Sequence, residues 1–234
     1  DDERSVITIR QLLNMSSGLQ YPDHQHETMF FRKDHLEYSR NVKLEKEPDT
    51  LFEYNNVNSM LLGEILEVAT GKKADILLEE RILNKIGVEK KTLWRDEAQN
   101  VLTYCCIDMS ARDYAKFGEL YLNEGNWNGE QIVPKSWVEA SHKPDSPHLM
   151  PDAGDLSSNE WGYGYQWWVP GNPITDYTAH GIFNQFIYVD PVTNVVIAKT
   201  SSNHRFRSER EYSKAAHIAI FRAITKNIEN EYKE

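Results

Sequence analysis

Apolar residues recur three and four positions apart in several stretches of this chain, a pattern typical of amphipathic helices. The clearest pattern predicts a helix that starts after Tyr54-Asn55-Asn56 and stops at Gly71; its apolar positions are Leu61, Leu62, Ile65, Leu66 and Ala69. An earlier short helix is predicted by Thr8 and Gln11, which have the spacing of a capping box.

The same criteria predict four further helical stretches. They are residues 74–83, a helix capped by Ser110 and closed by Gly125, a short helix after Pro134, and a last helix from about residue 208 to 223. The polar, His-rich stretch before residue 50 is less periodic, and there we expect at most one helix within residues 29–44.

From Trp161 onward the pattern changes to aromatic and β-branched residues in short runs, which predicts strands at residues 161–169, 179–189 and 195–200. Alternation would place Trp161, Tyr163, Tyr165 and Trp167 on one face, packed under helices. Short connections favour antiparallel pairing. We therefore predict an α+β fold in two parts: residues 1–160, mainly helical, and residues 161–234, an antiparallel sheet covered by the C-terminal helix.

Composition narrows the functional classes. The 234 residues carry 26 basic and 36 acidic side chains, a net charge of −10, which argues against a nucleic-acid partner. No apolar run is long enough to span a membrane. The opening Asp1-Asp2-Glu3-Arg4 is unlike a signal peptide; we interpret it as an internal beginning, and localisation stays open between periplasmic or secreted and cytoplasmic.

Two adjacent cysteines, Cys105 and Cys106, are flanked by apolar residues. Because a bridge between neighbours requires strained geometry, we expect two buried free thiols.

Candidate chemistry centres on Tyr54 and Asn56, which lie in a bend just before the clearest helix. A phenol can move protons and a carboxamide can orient a substrate. The structural alternatives are a packed tyrosine with a bonded hydroxyl and an Asn56 that only caps the helix.

Four segments in order resemble the serine β-lactamase-related hydrolases, which include class C β-lactamases, D-alanyl-D-alanine peptidases, esterases and 6-aminohexanoate-dimer hydrolases. They are Ile7 to Leu19 with its Ser-Gly-Leu end, Phe52 to Gly63 with Tyr-x-Asn, Met109 to Gly129, and His180 to Phe186 followed by Val189-Asp190-Pro191. The resemblance covers nearly the whole chain and implies an incomplete β-lactamase/transpeptidase-like fold. The family's Ser-x-x-Lys motif occurs nowhere in these 234 residues.

The resemblance implies a role for each matching residue. Tyr54 would be the proton shuttle and Asn56 would orient the substrate amide and the absent lysine. The N–H of Ile182 would donate to the oxyanion, on a strand where Gly181 lets substrate approach and His180 precedes the glycine. An alternative alignment puts Ala179 at the family's lysine position, and Asn184 replaces a usual glycine, which favours an ester or linear amide over a β-lactam.

Two hypotheses follow. The first is that the chain is part of a serine hydrolase, which acts through an acyl-enzyme on a small-molecule ester or amide. An upstream segment would supply the Ser and Lys, and this chain alone would be inactive. The second is a non-catalytic binding or scaffold relative; an upstream Ser-x-x-Lys would decide between them. The mechanism requires no cofactor or metal, and we interpret Asp23-His24-Gln25-His26-Glu27 as a solvated loop rather than a metal site.

Overall fold

The computed structural model describes residues 2–22, 25–153, 160–171 and 173–231. Its α-helices are α1 (Ile9–Leu13), α2 (Gln25–Phe30), α3 (His35–Arg40), α4 (Asn56–Thr70), α5 (Ala74–Leu78), α6 (Ala111–Leu122), α7 (Lys135–Ser141) and α8 (Arg210–Glu231). The strands are β1 (Thr92–Leu93), β2 (Ile107–Asp108), β3 (Asn126–Trp127), β4 (Glu130–Gln131), β5 (Gly162–Tyr163), β6 (Trp168–Val169), β7 (Tyr177–Gly181), β8 (Gln185–Asp190) and β9 (Val195–Lys199). Short 3₁₀ turns span Glu3–Val6 and Pro147–Leu149, and a π-helical turn, Glu79–Leu83, follows α5.

Local sequence explains where the main helices begin and end. The predicted capping box of α1 is present, with Thr8 and Gln11 bonded to each other's backbone N–H groups. At α4 the N-cap is Asn55, and Gly71 closes the helix in the left-handed conformation at φ 69°. Ser110 caps α6 through the N–H of Asp113. The capping box of α1, the end of α4 at Gly71 and the cap of α6 are confirmed, whereas the Asn55 cap of α4 was not predicted.

Strands β5 to β9 form one antiparallel sheet in chain order, so each strand pairs with the next along the chain. With the helices, this confirms the α+β fold. Two predicted long strands are wrong because each is a hairpin. The chain turns at Gln166 (φ 65°) between β5 and β6, and at Phe183 and Asn184 (φ 63° and 65°) between β7 and β8.

Helices pack on both faces of this sheet. Gly118 of α6 lies close against Ile187 and Val196, within the cluster that also holds Val189. On the other face, Phe186 and Tyr188 of β8 pack with Ile218 and Phe221 of α8. This packing confirms that the C-terminal helix covers the sheet.

Two other predictions are corrected. Residues 29–44 do not form one helix, because α2 ends at Phe30 and Asp34 caps a separate α3. Cys105 and Cys106 are not free thiols but are bonded to each other as a vicinal disulfide, with Cys106 at φ 70°.

The division of the chain into two parts at residue 160 stays a prediction. No helix in the described part of the chain is long and apolar enough to cross a bilayer.

Candidate active site

Tyr54 lies in an aromatic cluster at the start of α4. Its half-buried ring stacks on Trp168 at 5.2 Å between centroids and meets Tyr163 edge-on at 6.1 Å. Its hydroxyl forms no hydrogen bond with any described residue, although most packed tyrosines have one. Burial raises the pKa of this phenol, so the neutral form is favoured.

The two asparagines after Tyr54 have different roles. Buried Asn55 is the N-cap: its Oδ1 accepts from the N–H of Val57 at 3.0 Å. Asn56 is therefore not the cap, so the structural alternative for this residue is wrong. Its half-exposed side chain has no hydrogen-bond partner among the described residues, so its amide is available to a substrate or to another segment.

The third motif lies on β7, where alternate residues face opposite ways. Ala179 packs toward the α6 side of the sheet. His180 stacks on Phe186 at 4.6 Å and meets Trp161 at 6.0 Å. Trp161 in turn contacts Trp168, the partner of Tyr54, at 6.3 Å. His180, rather than Ala179, is thus joined through two indoles to Tyr54.

Gly181 and Ile182 lie at the exposed end of the β7–β8 hairpin. A methyl group added at Gly181 would touch only Gln185, at the ordinary contact distance of 3.6 Å. The fold's own packing therefore does not require glycine there, whereas a closely approaching ligand would. The Ile182 side chain is 53% exposed, so the adjoining backbone is open to solvent on that side.

An apolar cavity of about 340 Å³ lies beside α4, and we call it the α4 groove. Its walls include Ser59, Leu62 and Leu66 of α4, with Leu13, Cys105 and Gln166 opposite; Leu66 remains 48% exposed. Ser59 follows Asn56 by three residues, so both lie on the same face of α4. The predicted apolar face of this helix is thus only partly covered by described residues.

Two residues near Tyr54 were not predicted. Lys214 of α8 is buried, with its ammonium 5.2 Å and 5.5 Å from the ring centroids of Trp161 and Trp168. His26 lies in α2, not in a solvated loop, and its ring is 6.4 Å from that of Tyr54. Neither contact could be read from spacing, because both join segments distant in sequence.

The predicted solvated loop also includes Asp23 and His24, which lie outside the described part of the chain. Within the described residues, no group of three His, Cys, Asp or Glu side chains is arranged to hold a metal ion.

Comparison with known proteins adds to this geometry. The sequence profile of the beta-lactamase family matches residues 2–219. The chain belongs to the beta-lactamase family. This membership confirms the predicted relationship and supports a hydrolase of the serine type in general terms.

Individual relatives agree with the family assignment. The chain is 31% identical over 153 residues to the 6-aminohexanoate-dimer hydrolase of Paenarthrobacter ureafaciens, covering 64% of this chain and 39% of that protein. A solved structure described as a candidate 6-aminohexanoate-dimer hydrolase, from Bacillus anthracis, superposes with a TM-score of 0.82 at 26% identity, covering 96% of this chain and 62% of that one.

A penicillin-binding protein from Bacillus halodurans shares the fold, with a TM-score of 0.63 at 18% identity; the match covers 94% of this chain and 74% of that one. Because the matches cover 39% and 62% of the two hydrolase relatives, the chain spans less than two thirds of the length of either one.

Proposed function

We propose that this chain is part of a serine hydrolase that cleaves an ester or a linear amide through an acyl-enzyme. The nucleophilic serine and its lysine come from sequence outside these 234 residues. The observation that carries the proposal is the Tyr54 hydroxyl, which has no hydrogen-bond partner among the described residues and lies in a Tyr54-Asn55-Asn56 sequence that resembles the family's Tyr-x-Asn motif.

In this mechanism Tyr54 accepts the proton of the serine and passes it to the leaving group. Burial alone raises the pKa of Tyr54, which opposes the first transfer. A lysine ammonium next to the phenol would favour the phenolate and reverse that effect. Asn56, on the same turn, orients the lysine and the substrate carbonyl group.

The substrate carbonyl group is activated at the end of β7, on the other side of the site from Asn56. The serine oxygen attacks the carbonyl carbon, and the resulting oxyanion accepts hydrogen bonds from the N–H of Ile182 and from that of the serine. Gly181 leaves room for the substrate beside β7. His180 lines the site on the face that the two indoles connect to Tyr54.

The α4 groove supports the proposal of an upstream segment, because such a segment could pack there. The groove is apolar, lies on the Asn56 face of α4 and leaves Leu66 partly exposed. A helix carrying Ser-x-x-Lys that filled it would bury this surface and bring its serine and lysine toward Tyr54 and Asn56.

An ester or linear amide fits this site better than a β-lactam. The side chain that stands one residue before His180 is Ala179, which packs away from the aromatic cluster and offers no charge to a β-lactam carboxylate. The relative from Paenarthrobacter ureafaciens is named for a linear amide dimer.

The test uses the full-length gene product, assayed with a small ester, a linear amide oligomer and a chromogenic β-lactam. We expect ester or amide turnover that falls roughly 100-fold or more in Tyr54→Phe with an unchanged melting temperature, because only a general acid–base hydroxyl is lost. Mass spectrometry should detect an acylated serine upstream of this chain. Absence of turnover with all three substrates, or of any upstream Ser-x-x-Lys, would instead support a non-catalytic binding or scaffold relative.

A further inference from the structure

The disulfide between Cys105 and Cys106 lies at the wall of the α4 groove. Cys105 lines the groove together with Leu102, Thr103 and Ile107 of the same segment, whereas Cys106 lies outside the lining. Both cysteines are half-buried, so each is partly open to solvent. The 234 residues contain two cysteines, and this bond is therefore the chain's one site for thiol–disulfide exchange.

Chain entropy does not explain this bond. A disulfide restricts the unfolded chain more strongly when it closes a longer loop, and a bond between neighbouring residues closes almost none. Its effect is instead on local conformation. Cys106 has a φ of 70°, in the left-handed region that is unfavourable for a residue with a Cβ atom. The bonded sulfurs hold Cys106 in that region, and reduction would release it.

Contacts on either side of the disulfide join its conformation to α4. The carbonyl of Cys106 accepts a hydrogen bond from the N–H of Trp94 at 3.0 Å. The hydroxyl of Thr103 donates to the carbonyl of Ser59 in α4 at 2.8 Å. A methyl group added at Gly63 would come within 2.6 Å of the Thr103 side chain, so Thr103 packs directly on the helix backbone. A change of backbone conformation at Cys106 would therefore displace the wall that faces α4.

We propose that the disulfide between Cys105 and Cys106 is a redox-sensitive site that controls the shape of the α4 groove and is opened by a dithiol reductant. The bonded form holds the groove wall in the shape that accepts the upstream segment. In the reduced form Cys106 returns to a negative φ, and the segment packs less well. This inference rests on the proposed serine hydrolase function, which supplies the occupant of the groove.

The exchange balances with the dithiol as its only co-reactant. A thiolate of the reductant attacks the sulfur of Cys106, which lies outside the groove lining. As the new S–S bond forms, the bond to Cys105 breaks, and the Cys105 sulfur leaves with the electron pair and takes a proton. The second thiol of the reductant then attacks the mixed disulfide and releases Cys106 as a thiol. The protein gains two electrons and two protons, and the reductant ends as a disulfide.

The test compares full-length protein before and after treatment with dithiothreitol, with mass spectrometry of alkylated protein reporting the state of both cysteines. Reduction should lower ester turnover roughly tenfold, because a displaced upstream serine loses its alignment with Tyr54. It should also lower the melting temperature, because apolar packing in the groove is lost. Reoxidation with oxidised glutathione should restore both values.

Two substitutions at Cys106 separate backbone conformation from sulfur chemistry. Cys106→Gly and Cys106→Ala both remove the disulfide and leave Cys105 in place, but only glycine adopts a left-handed φ freely. Cys106→Gly should therefore keep the melting temperature and turnover of the oxidised wild type, with or without dithiothreitol. Cys106→Ala should match the reduced wild type in both measurements.

Every other outcome overturns the inference. Cysteines that stay unlabelled in the folded, dithiothreitol-treated wild type would show that the bond is closed to a dithiol. Equal behaviour of Cys106→Gly and Cys106→Ala would show that φ at this position does not shape the groove. A response of Cys106→Gly to dithiothreitol as large as that of the wild type would place the effect at a different cysteine.

The two readouts keep this inference apart from the proposed function. If Cys106→Ala does not fold, the reduced wild type and its recovery on reoxidation provide the same comparison with Cys106→Gly. A wild type without hydrolytic activity would remove the proposed function, whereas its melting temperature would still report on the groove. An active wild type whose melting temperature and turnover do not change on verified reduction would overturn this inference alone.

Discussion

At the scale of single residues, the free groups of the site are those that the sequence motif singled out. Tyr54 and Asn56 were predicted from two side chains at fixed spacing before a helix, and the structure leaves both without described hydrogen-bond partners. Their catalytic roles stay predictions. Cys105 and Cys106 show the limit of residue statistics, since they were predicted as buried free thiols and are bonded to each other, with Cys106 at positive φ.

Gly181 offers a test at this scale. Gly181→Ala should keep the melting temperature of the full-length protein, because the new methyl group meets Gln185 only at 3.6 Å. It should lower kcat/KM roughly 10- to 100-fold, because a substrate displaced by a methyl group loses alignment with the oxyanion donor.

The control for this substitution is Gly118→Ala. There the added methyl group would come within 2.6 Å of Val196 and 2.8 Å of Ile187, so the free energy of unfolding should fall by about 1–3 kcal/mol. Full activity in Gly181→Ala would show that no substrate passes close to this glycine.

At the scale of elements, prediction succeeded where local signals decide and failed where a turn lacks them. Capping residues located α1 and α6, and Gly71 located the end of α4, because their hydrogen bonds are made within one turn. The hairpin β5–β6 was predicted as a single strand because Gln166 is not a usual turn residue, yet it adopts positive φ. In β7–β8 the turn signal of Asn184 was outweighed by the aromatic and β-branched residues on either side of it. Tertiary contacts stabilise the β5–β6 turn: the Gln166 side chain accepts a hydrogen bond from Ser59 and donates one to the carbonyl of Leu13.

The cap of α4 supports a prediction about stability. Asn55→Ala should lower the free energy of unfolding by about 1–2 kcal/mol for the lost N-cap alone. Because the same side chain also holds the carbonyls of Leu19 and Gln20, the loss should exceed that of a simple cap.

Ser110→Ala, which removes the cap of α6, is the comparison and should cost about 1 kcal/mol. Urea unfolding of the full-length variants measures both. Equal losses would mean that the bonds from Asn55 to the segment before α2 contribute nothing to stability.

At the scale of the whole molecule, a strand edge and an apolar groove are open in the part of the chain that the structure describes. Within the described residues β9 pairs only with β8, so its other edge presents unpaired backbone groups. The α4 groove exposes apolar side chains on the site face of α4. The family's order of motifs was sufficient to predict this fold, whereas the groove could not be predicted, since it depends on how α1, α4, α5 and the β5–β6 turn surround an empty volume.

These surfaces predict how the chain behaves alone. Expressed from Asp1 to Glu234, it should be hydrolytically silent and prone to association, and co-expression with the upstream segment should restore solubility and activity.

Leu66→Lys tests whether the exposed α4 groove causes the association. In the isolated chain it should reduce association, because a charge replaces an exposed apolar group. In the full-length protein it should lower the melting temperature, because the upstream helix would bury that charge. Val68→Lys, at an 80% exposed position outside the groove, should leave the full-length melting temperature unchanged. Light scattering and thermal melting measure these effects, and a monodisperse isolated chain in which Leu66→Lys acts alike in both contexts would show that no upstream segment occupies the α4 groove.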